Sequence, residues 1–528
     1  MQLAGIAGKQ SEYIETERER GEDDMDLKVF RDMVSVSQQL CDLTLEHPVE
    51  TEILIPDYQP EIFKIVKSFV TPVLLQKQVL GGKLTLEGYL RVSVLYQGEE
   101  EQNLCQVEQK LPFSKSVELK NGEYDSYRVS VRGESEYLNT RAINSRRIDV
   151  KGAYAFGVIV SGQSEQQVVT ALSGEGAQQK LTAVPFTRIV AECEKNFSVE
   201  DTLEFPDVPL AVLYTNCTGT VDEIRLISGK AVVKGRLQVR VVYRSEPGYQ
   251  LEHAEKELPF NQIIDLEHLD EECSCHVEIV PHGCTLVEGG GEENATTLSV
   301  SCGLSLLILR QNMVYAVCDA FSTRWNAQVT TRQLVVEHLV DDFHNTITAS
   351  GSGALPDEGC TLVDCLATVL PPETVTDAGE ITIRGKVIAH LICCNSLGEL
   401  ECYDKVCEYL LPKRYPTAED GVTVEVQAQF EEAKAQKNGA EASCEVTLVV
   451  SGIVMEKQKL ELLDEITCEE PLEREDDVAL RVYYGRAGEE LFEIAKRYHA
   501  DPAVIAAESG TENEILQQDA RLLIPAAE

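Results

Sequence analysis

Three triplets of an apolar residue, proline and aspartate, Ile55-Pro56-Asp57, Phe205-Pro206-Asp207 and Leu355-Pro356-Asp357, stand 150 residues apart. A fixed period of this kind decides the architecture before any local reading, because a chain that copies one unit folds as copies of one unit. A second block recurs in step with the first: Gly88 to Tyr96, Gly235 to Tyr243 and Gly385 to Leu391. In each block the even offsets from the glycine are apolar (Leu90, Val92, Val94; Leu237, Val239, Val241; Val387, Ala389, Leu391), and the odd offsets are mostly polar or long-stemmed. Period two marks a half-buried β-strand.

A third landmark is Leu111-Pro112-Phe113 and Leu258-Pro259-Phe260, matched in the last copy to Leu410-Leu411-Pro412 with three extra residues. Proline lacks the ladder N–H, so the landmark predicts a strand start or an edge position. Further apolar runs at 127–131, 150–160, 276–280, 298–309, 422–428 and 445–454 bring each copy to about five or six strands, the size of one sheet or small sandwich. Helical spacing appears only at Gln59 to Val70, through Ile62, Phe63, Val66 and Val70, and at Leu334 to Phe343. The expected fold class is mainly β: three tandem β-rich, sandwich-like domains at 28–178, 179–330 and 331–462. An acidic tail (1–27) precedes them, and an acidic linker (463–478) leads to a different module at 479–528.

The balance of 47 basic against 89 acidic residues gives a formal charge of −42, which repels phosphate backbones and anionic membranes. Nucleic acid is excluded as a partner. The acid gathers at Glu17, Glu19, Glu22, Asp23 and Asp24, and at Glu469, Glu470, Glu473, Glu475, Asp476 and Asp477, as solvated linkers do. The first residues have no basic start and no sustained apolar core, so no secretory signal is expected. The longest apolar stretch, 304–317, is broken by Arg310, Gln311 and Asn312, so no transmembrane segment is expected and the protein is expected to be soluble and cytoplasmic.

The sequence carries no motif that supports an enzyme. The pairs Gly82-Lys83, Gly229-Lys230 and Gly385-Lys386 run into Leu84, Ala231 and Val387 rather than the Ser or Thr of a phosphate-binding loop. No nucleophile elbow, His-Glu-x-x-His or dinucleotide fingerprint is present, and His338 and His344 fit no ligand pair. The 17 cysteines fall largely in strand runs and read as buried thiols, with Cys360/Cys365 and Cys402/Cys407 the pairs to watch for oxidation. No catalytic residue, metal or cofactor is expected.

After residue 479 the pattern changes. Leu480 to Tyr484 reads as a strand, and Gly488 to Tyr498 as a helix with a core stripe of Leu491, Ile494, Ala495 and Tyr498. Asp501-Pro502 supplies an N-cap and first-turn proline for a second helix, and Arg521 to Pro525 returns as a strand. This βααβ module resembles a LysM domain. The family's Gly-Asp-Thr-Leu-x-x-Ile-Ala-x-x-Tyr stands here as Gly488-Glu489-Glu490-Leu491-Phe492-Glu493-Ile494-Ala495-Lys496-Arg497-Tyr498, and its closing Leu-x-Ile-Pro as Leu522 to Pro525. LysM modules bind N-acetylglucosamine chains of peptidoglycan or chitin. Here the Asp-Thr pair is Glu489-Glu490, the usual Asn is Ser509, and the Pro-Gly-Gln turn is Gln518-Asp519-Ala520. The resemblance thus implies a kept scaffold with an altered glycan face. Gly488, Glu489, Glu490, Phe492, Ser509, Gln518 and Asp519 are the residues expected to bind a partner or glycan, with Phe492 projecting as an anchor.

The repeats, in turn, resemble SPOCS domains, β-rich units of sporulation proteins in endospore-forming Firmicutes. That resemblance implies a spore coat assembly scaffold that joins coat proteins, without enzymatic activity, in the mother-cell cytoplasm at the forespore surface. It implies a LysM that docks a morphogenetic ATPase of the stage IV sporulation protein A type; whether the repeats also self-assemble by edge pairing, as exposed strands can, is left open by the sequence. The alternative is a LysM protein that binds peptidoglycan of the cortex.

Overall fold

The computed structural model describes residues 27–99, 103–119, 124–174, 176–246, 250–266, 269, 272–288, 294–377, 380–415, 421–473, 479–511 and 513–525. The chain is mainly β. The first repeat holds β1 (Lys28–Leu54), β2 (Ile62–Leu80), β3 (Lys83–Gly98), β4 (Leu104–Glu118), β5 (Ser126–Asn144) and β6 (Arg147–Ser173). They form two antiparallel sheets, β1-β6-β5 and β2-β3-β4. The second repeats the plan with β7 (Ala177–Glu204), β8 (Ala211–Ile227), β9 (Lys230–Arg244), β10 (Glu252–Asp265), β11 (Cys273–Glu288) and β12 (Ala295–Ser322), in sheets β7-β12-β11 and β8-β9-β10.

The third comprises β13 (Trp325–Ala354), β14 (Thr361–Val369), β15 (Glu373–Asp377), β16 (Glu380–Cys394), β17 (Leu400–Arg414), β18 (Val422–Asn438) and β19 (Glu441–Pro471). Here Pro371 and Pro372 split one edge strand into β14 and β15, both paired with β16. The turns between repeats fall between Ser173 and Ala177 and between Ser322 and Trp325, ahead of the expected limits at 178 and 330. β19 keeps its ladder with β13 as far as Pro471, so residues 463–471 are strand rather than linker. The acidic residues Glu17, Glu19, Glu22, Asp23, Asp24, Glu475, Asp476 and Asp477 lie outside the described residues.

Repeats 1 and 2 each bury a core between two sheets, and in repeat 3 a bridge from Ser350 of β13 to Glu408 of β17 joins the corresponding layers into one seven-stranded sheet that wraps the core. The period-two residues Leu90, Val92, Val94, Leu237, Val239, Val241, Val387, Ala389 and Leu391 are all fully buried there, as the alternation predicts. Ile55, Phe205 and Leu355 are buried too, and the reason for the triplet is now visible. Each follows the end of β1, β7 or β13, and its N–H donates across to the turn of the opposite hairpin, at Arg146 O, Asn294 O and Ala440 O. The triplet therefore closes the end of the sandwich.

The glycines of the second landmark face aromatic rings. Gly88 pairs with Phe113, Gly235 with Phe260 and Gly385 with Tyr409. The third landmark is thereby corrected: the structural counterpart of Leu-Pro-Phe is Cys407-Glu408-Tyr409, whereas Leu410 is exposed and Pro412 lies three residues further on. Proline was the wrong guide, because the buried aromatic is what the core requires. Pro112 and Pro259 stand in mid-strand on β4 and β10, which are edge strands, so the edge expectation holds and the strand-start one does not.

Both helix candidates are strands. Residues 62–70 belong to β2, where register shifts at Ile62/Lys64 and Ile65/Lys67 insert an extra residue twice and turn a two-residue period into a pattern of threes and fours. Leu334 to Phe343 lies in β13, with the same kind of shift at Leu339/Asp341.

The repeats do not hang as separate beads. β1, β6, β7, β12, β13 and β19 run 27 to 31 residues, longer than one sandwich needs. Their free halves converge on a shared core of Val34, Val168, Val184, Phe186, Ala316, Leu334, Val336, Leu460 and Leu462. At the opposite pole Leu95, Leu104, Leu213, Ile392, Cys394 and Leu400 join the outer sheets of all three repeats. The trunk is a closed, three-repeat body about a pseudo-threefold axis.

The C-terminal module has the expected order: β20 (Leu480–Gly485), α1 (Leu491–Tyr498), α2 (Pro502–Ser509) and β21 (Ala520–Pro525). Helix α1 starts at Leu491 rather than Gly488, whose φ of 92° suits glycine and no other residue. Asp501 caps α2 by accepting from the Ala503 N–H, and Leu491, Ile494 and Ala495 fill the module core.

Candidate functional site

Matched register positions show what the axis carries. Lys67, Tyr214 and Asp364 each follow a strand irregularity and lie opposite Leu95, Val242 and Ile392, so they are one position in three copies. The three now differ and bind across repeats. The Tyr214 hydroxyl donates to the Asp364 carboxylate, and Lys67 Nζ lies 2.6 Å from Asp404 Oδ2. Arg128, Glu278 and Gln427 form a second such set, opposite Ser161, Ser305 and Ser451. Gln427 Nε2 donates to Glu278 at 2.7 Å, and Arg128 pairs with Glu425 at 2.9 Å. Duplicate positions have become complementary partners.

Between these layers lies a chamber of about 1400 Å³ lined by all three repeats. Asp364 borders it, and burial raises its carboxyl from 3.8 to about 6, opposed by the Cys365 N–H. A carboxyl whose folded pKa is raised stabilises the fold when protonated. That contribution is complete below about 4 and lost as pH rises through 6. Asp364→Asn keeps an acceptor for Tyr214 and removes the charge, so it should raise stability at pH 7 by about 3 kcal/mol, two pKa units at roughly 1.4 kcal/mol each. Denaturant unfolding at pH 7 and pH 4 checks this: the gain should vanish at the lower pH.

The chamber wall also holds Thr368 Oγ1 2.9 Å from His390 Nε2, with His390 Nδ1 2.7 Å from Asp404. This has the connectivity of a nucleophile relay. However, Lys67 already neutralises Asp404, Phe69 lies edge-on against the imidazole at 5.1 Å, and β16 is flanked by paired strands on both sides. The arrangement ties repeat 1 to repeat 3.

The C-terminal module uses most of its expected site residues on itself. Gly488 N donates to Leu516 O at 2.7 Å, Glu489 accepts from Arg486 N and the Tyr483 hydroxyl, Ser509 Oγ accepts from Leu523 N, and Asp519 accepts from Ala487 N. The Arg486 N–H and the Tyr483 hydroxyl hold the Glu489 carboxyl below its usual range. These bonds clasp the two loops on which a LysM groove would form.

Glu490 and Phe492 face the trunk instead. Glu490 pairs with Lys180 of β7, and the Phe492 ring meets Phe321 of β12 edge-on at 5.2 Å. Lys496 joins Asp319 at 2.6 Å, and His499 Nδ1 lies 3.1 Å from Ser322 O. The projecting anchor is thus corrected: Phe492 is half-buried in a dock on repeat 2, since trunk and module pack where an isolated module would meet solvent. Of the seven residues, Gln518 alone is exposed with no such engagement among the described contacts.

The outward surface lies elsewhere. Leu480, Val482 and Tyr484 alternate on the outer face of β20 and are 49%, 51% and 76% exposed. Both helices cover the other face, so this apolar stripe is open. Its period-two spacing was present in the sequence, but alternation alone does not say which face the helices take.

All 17 cysteines are free, and none is exposed. The pairs to watch are corrected. Cys402 and Cys407 are an odd number of residues apart on β17 and point to opposite faces. Cys360 meets Cys393 rather than Cys365, Cys217 meets Cys302, and Cys407 lies 3.4 Å from Cys444 in the third core, where burial pushes Cys407 up to about 12.

The fold defines a class: a trunk of three β-sandwich repeats with a small α/β module docked on it. The family model described as SipL, SPOCS domain matches residues 61–143 and 210–286, spanning β2 to β5 and β8 to β11. The match supports a SipL-like protein with SPOCS repeats and a role related to sporulation and the spore coat. β14 to β18 share that topology outside the matched residues. No curated protein and no solved structure matches the chain. Among the described residues no helix is long and apolar enough to cross a membrane.

Proposed function

We propose that this protein is a non-enzymatic adaptor of the spore coat, whose C-terminal module binds a morphogenetic ATPase of the stage IV sporulation protein A type at the forespore surface, on the mother-cell side. One observation carries the reading: the module's loop residues are spent on clasping its own loops and on docking to repeat 2, while the apolar face Leu480-Val482-Tyr484 stands open. A glycan site needs convergent polar groups, whereas a protein partner is recognised by an aromatic-centred apolar patch.

The closed trunk supports the scaffold role. Its cross-repeat bonds are spread over every junction, as a rigid spacer requires, and its formal charge of −42 favours basic surfaces on coat partners. The competing reading, a peptidoglycan binder, rests on the LysM resemblance. Direct binding of the full chain to the purified ATPase and to purified peptidoglycan, with a Val482→Ser/Tyr484→Ser variant alongside, separates the two.

A further inference from the structure

Repeats 2 and 3 meet at three side chains of metal-binding chemistry. His276 lies on β11, and Asp342 and His344 are two residues apart on the same side of β13. His276 Nδ1 stands 2.7 Å from Asp342 Oδ1, His344 Nδ1 stands 4.0 Å from the same oxygen, and one ligand atom from each residue lies within 4.8 Å of the other two. A tetrahedral ion with bonds of about 2.0–2.2 Å sets its ligand atoms roughly 3.3–3.6 Å apart, between the two distances seen here.

We infer that His276, Asp342 and His344 form a divalent transition-metal site, of the zinc type, that staples repeat 2 to repeat 3. The outer shell is already built. With the metal on Nδ1, the Nε2–H of His276 points at Glu278 Oε1, 3.4 Å away, and Glu278 is in turn held by Gln427 Nε2 at 2.7 Å. A carboxylate on the second ring nitrogen fixes the tautomer and raises ligand basicity, as outer shells of histidine-bound metals do. Among the described residues no lysine or arginine pairs with Asp342 or Glu278; in the metal-free chain these two carboxylates favour a protonated His276, and a bound ion would take the place of its Nδ1 proton. The second cluster, His390, Cys402 and Asp404, differs on this point because Lys67 already sits 2.6 Å from Asp404. Access is open on one side: the His344 side chain is 50% exposed and that of His276 only 7%.

The test uses the full chain, freed of metal with a chelator and titrated with Zn²⁺ by calorimetry and with Co²⁺ by visible absorption. The expected result is one saturable site with tetrahedral Co²⁺ d–d bands and no thiolate charge-transfer band. His344→Ala, a half-exposed change that leaves the fold intact, should weaken binding at least tenfold, as should Asp342→Asn. Glu278→Gln should weaken it by about 10- to 100-fold while keeping the band pattern, the mark of a positioning residue. Asp404→Asn should change nothing. No binding, a thiolate band, or binding unchanged in His344→Ala and Asp342→Asn would overturn the assignment.

Discussion

Lys77→Ala is expected to destabilise the protein by about 3–5 kcal/mol, the range for removing one partner of a buried ion pair. Lys77 leaves β2 of the first repeat and lies between Glu192 and Glu194 on β7 of the second, at 3.2 and 3.3 Å, with its side chain 16% exposed. Burial disfavours its charge, but the two carboxylates outweigh that and hold it above the usual lysine range, while burial pushes the Glu192 carboxyl up. Truncation leaves Glu192 desolvated and unpaired. Lys77→Met with Glu192→Gln, which removes both charges, should recover more than half of the loss. Lys230→Ala breaks the solvent-exposed pair with Asp265 and should cost less than about 1 kcal/mol. Urea unfolding of the four proteins measures all three differences. A Lys77→Ala value as small as the surface control would refute the buried junction.

The second large effect comes from a single methyl group. A Cβ added at Gly235 would lie 2.2 Å from Thr220 O and 2.6 Å from the Phe260 ring, and one added at Gly88 would lie 2.1 Å from Val73 O. The obstacle is backbone of the neighbouring strand, which cannot rotate aside. Gly88→Ala and Gly235→Ala should each destabilise by about 3 kcal/mol, the upper range for overpacking a well-filled core. Gly157→Ala is the control, because its Cβ would meet nothing closer than Arg132 O at 3.9 Å. That variant should fall within about 0.5 kcal/mol of the natural protein. Thermal unfolding ranks the three, and equal midpoints would mean that glycine serves no steric purpose at these landmarks.

What sequence reading recovered, it recovered through local periodicity. Leu90, Val92, Val94 and their counterparts alternate because one face of their strand meets a core, and burial follows directly. It failed wherever two strands out of step decide the outcome. The irregularities at Ile62/Lys64 and Ile65/Lys67 made β2 resemble a helix, and proline drew the third landmark to Pro412 when Tyr409 fills the place of Phe113. The axis was hidden for a different reason. Lys67, Tyr214 and Asp364 keep the spacing of the landmark glycines but differ in residue type, and only the packing of the repeats brings Tyr214 to Asp364 and Lys67 to Asp404. Phe492 was misplaced by treating the module alone, since its cover, Phe321, comes from another repeat.

The docked module also changes what a partner can reach. With Glu490, Phe492, Lys496 and His499 held on β7 and β12, a partner meets the β20 face without displacing the trunk. Trunk and module would then act as one rigid connector between the ATPase and the coat.

The most direct measurement is the equilibrium affinity of the full chain for the purified morphogenetic ATPase, beside sedimentation with purified peptidoglycan. The account predicts a saturable complex with the ATPase, at least tenfold weaker with Val482→Ser/Tyr484→Ser, and no sedimentation with peptidoglycan. Retention on peptidoglycan with no ATPase complex would contradict it.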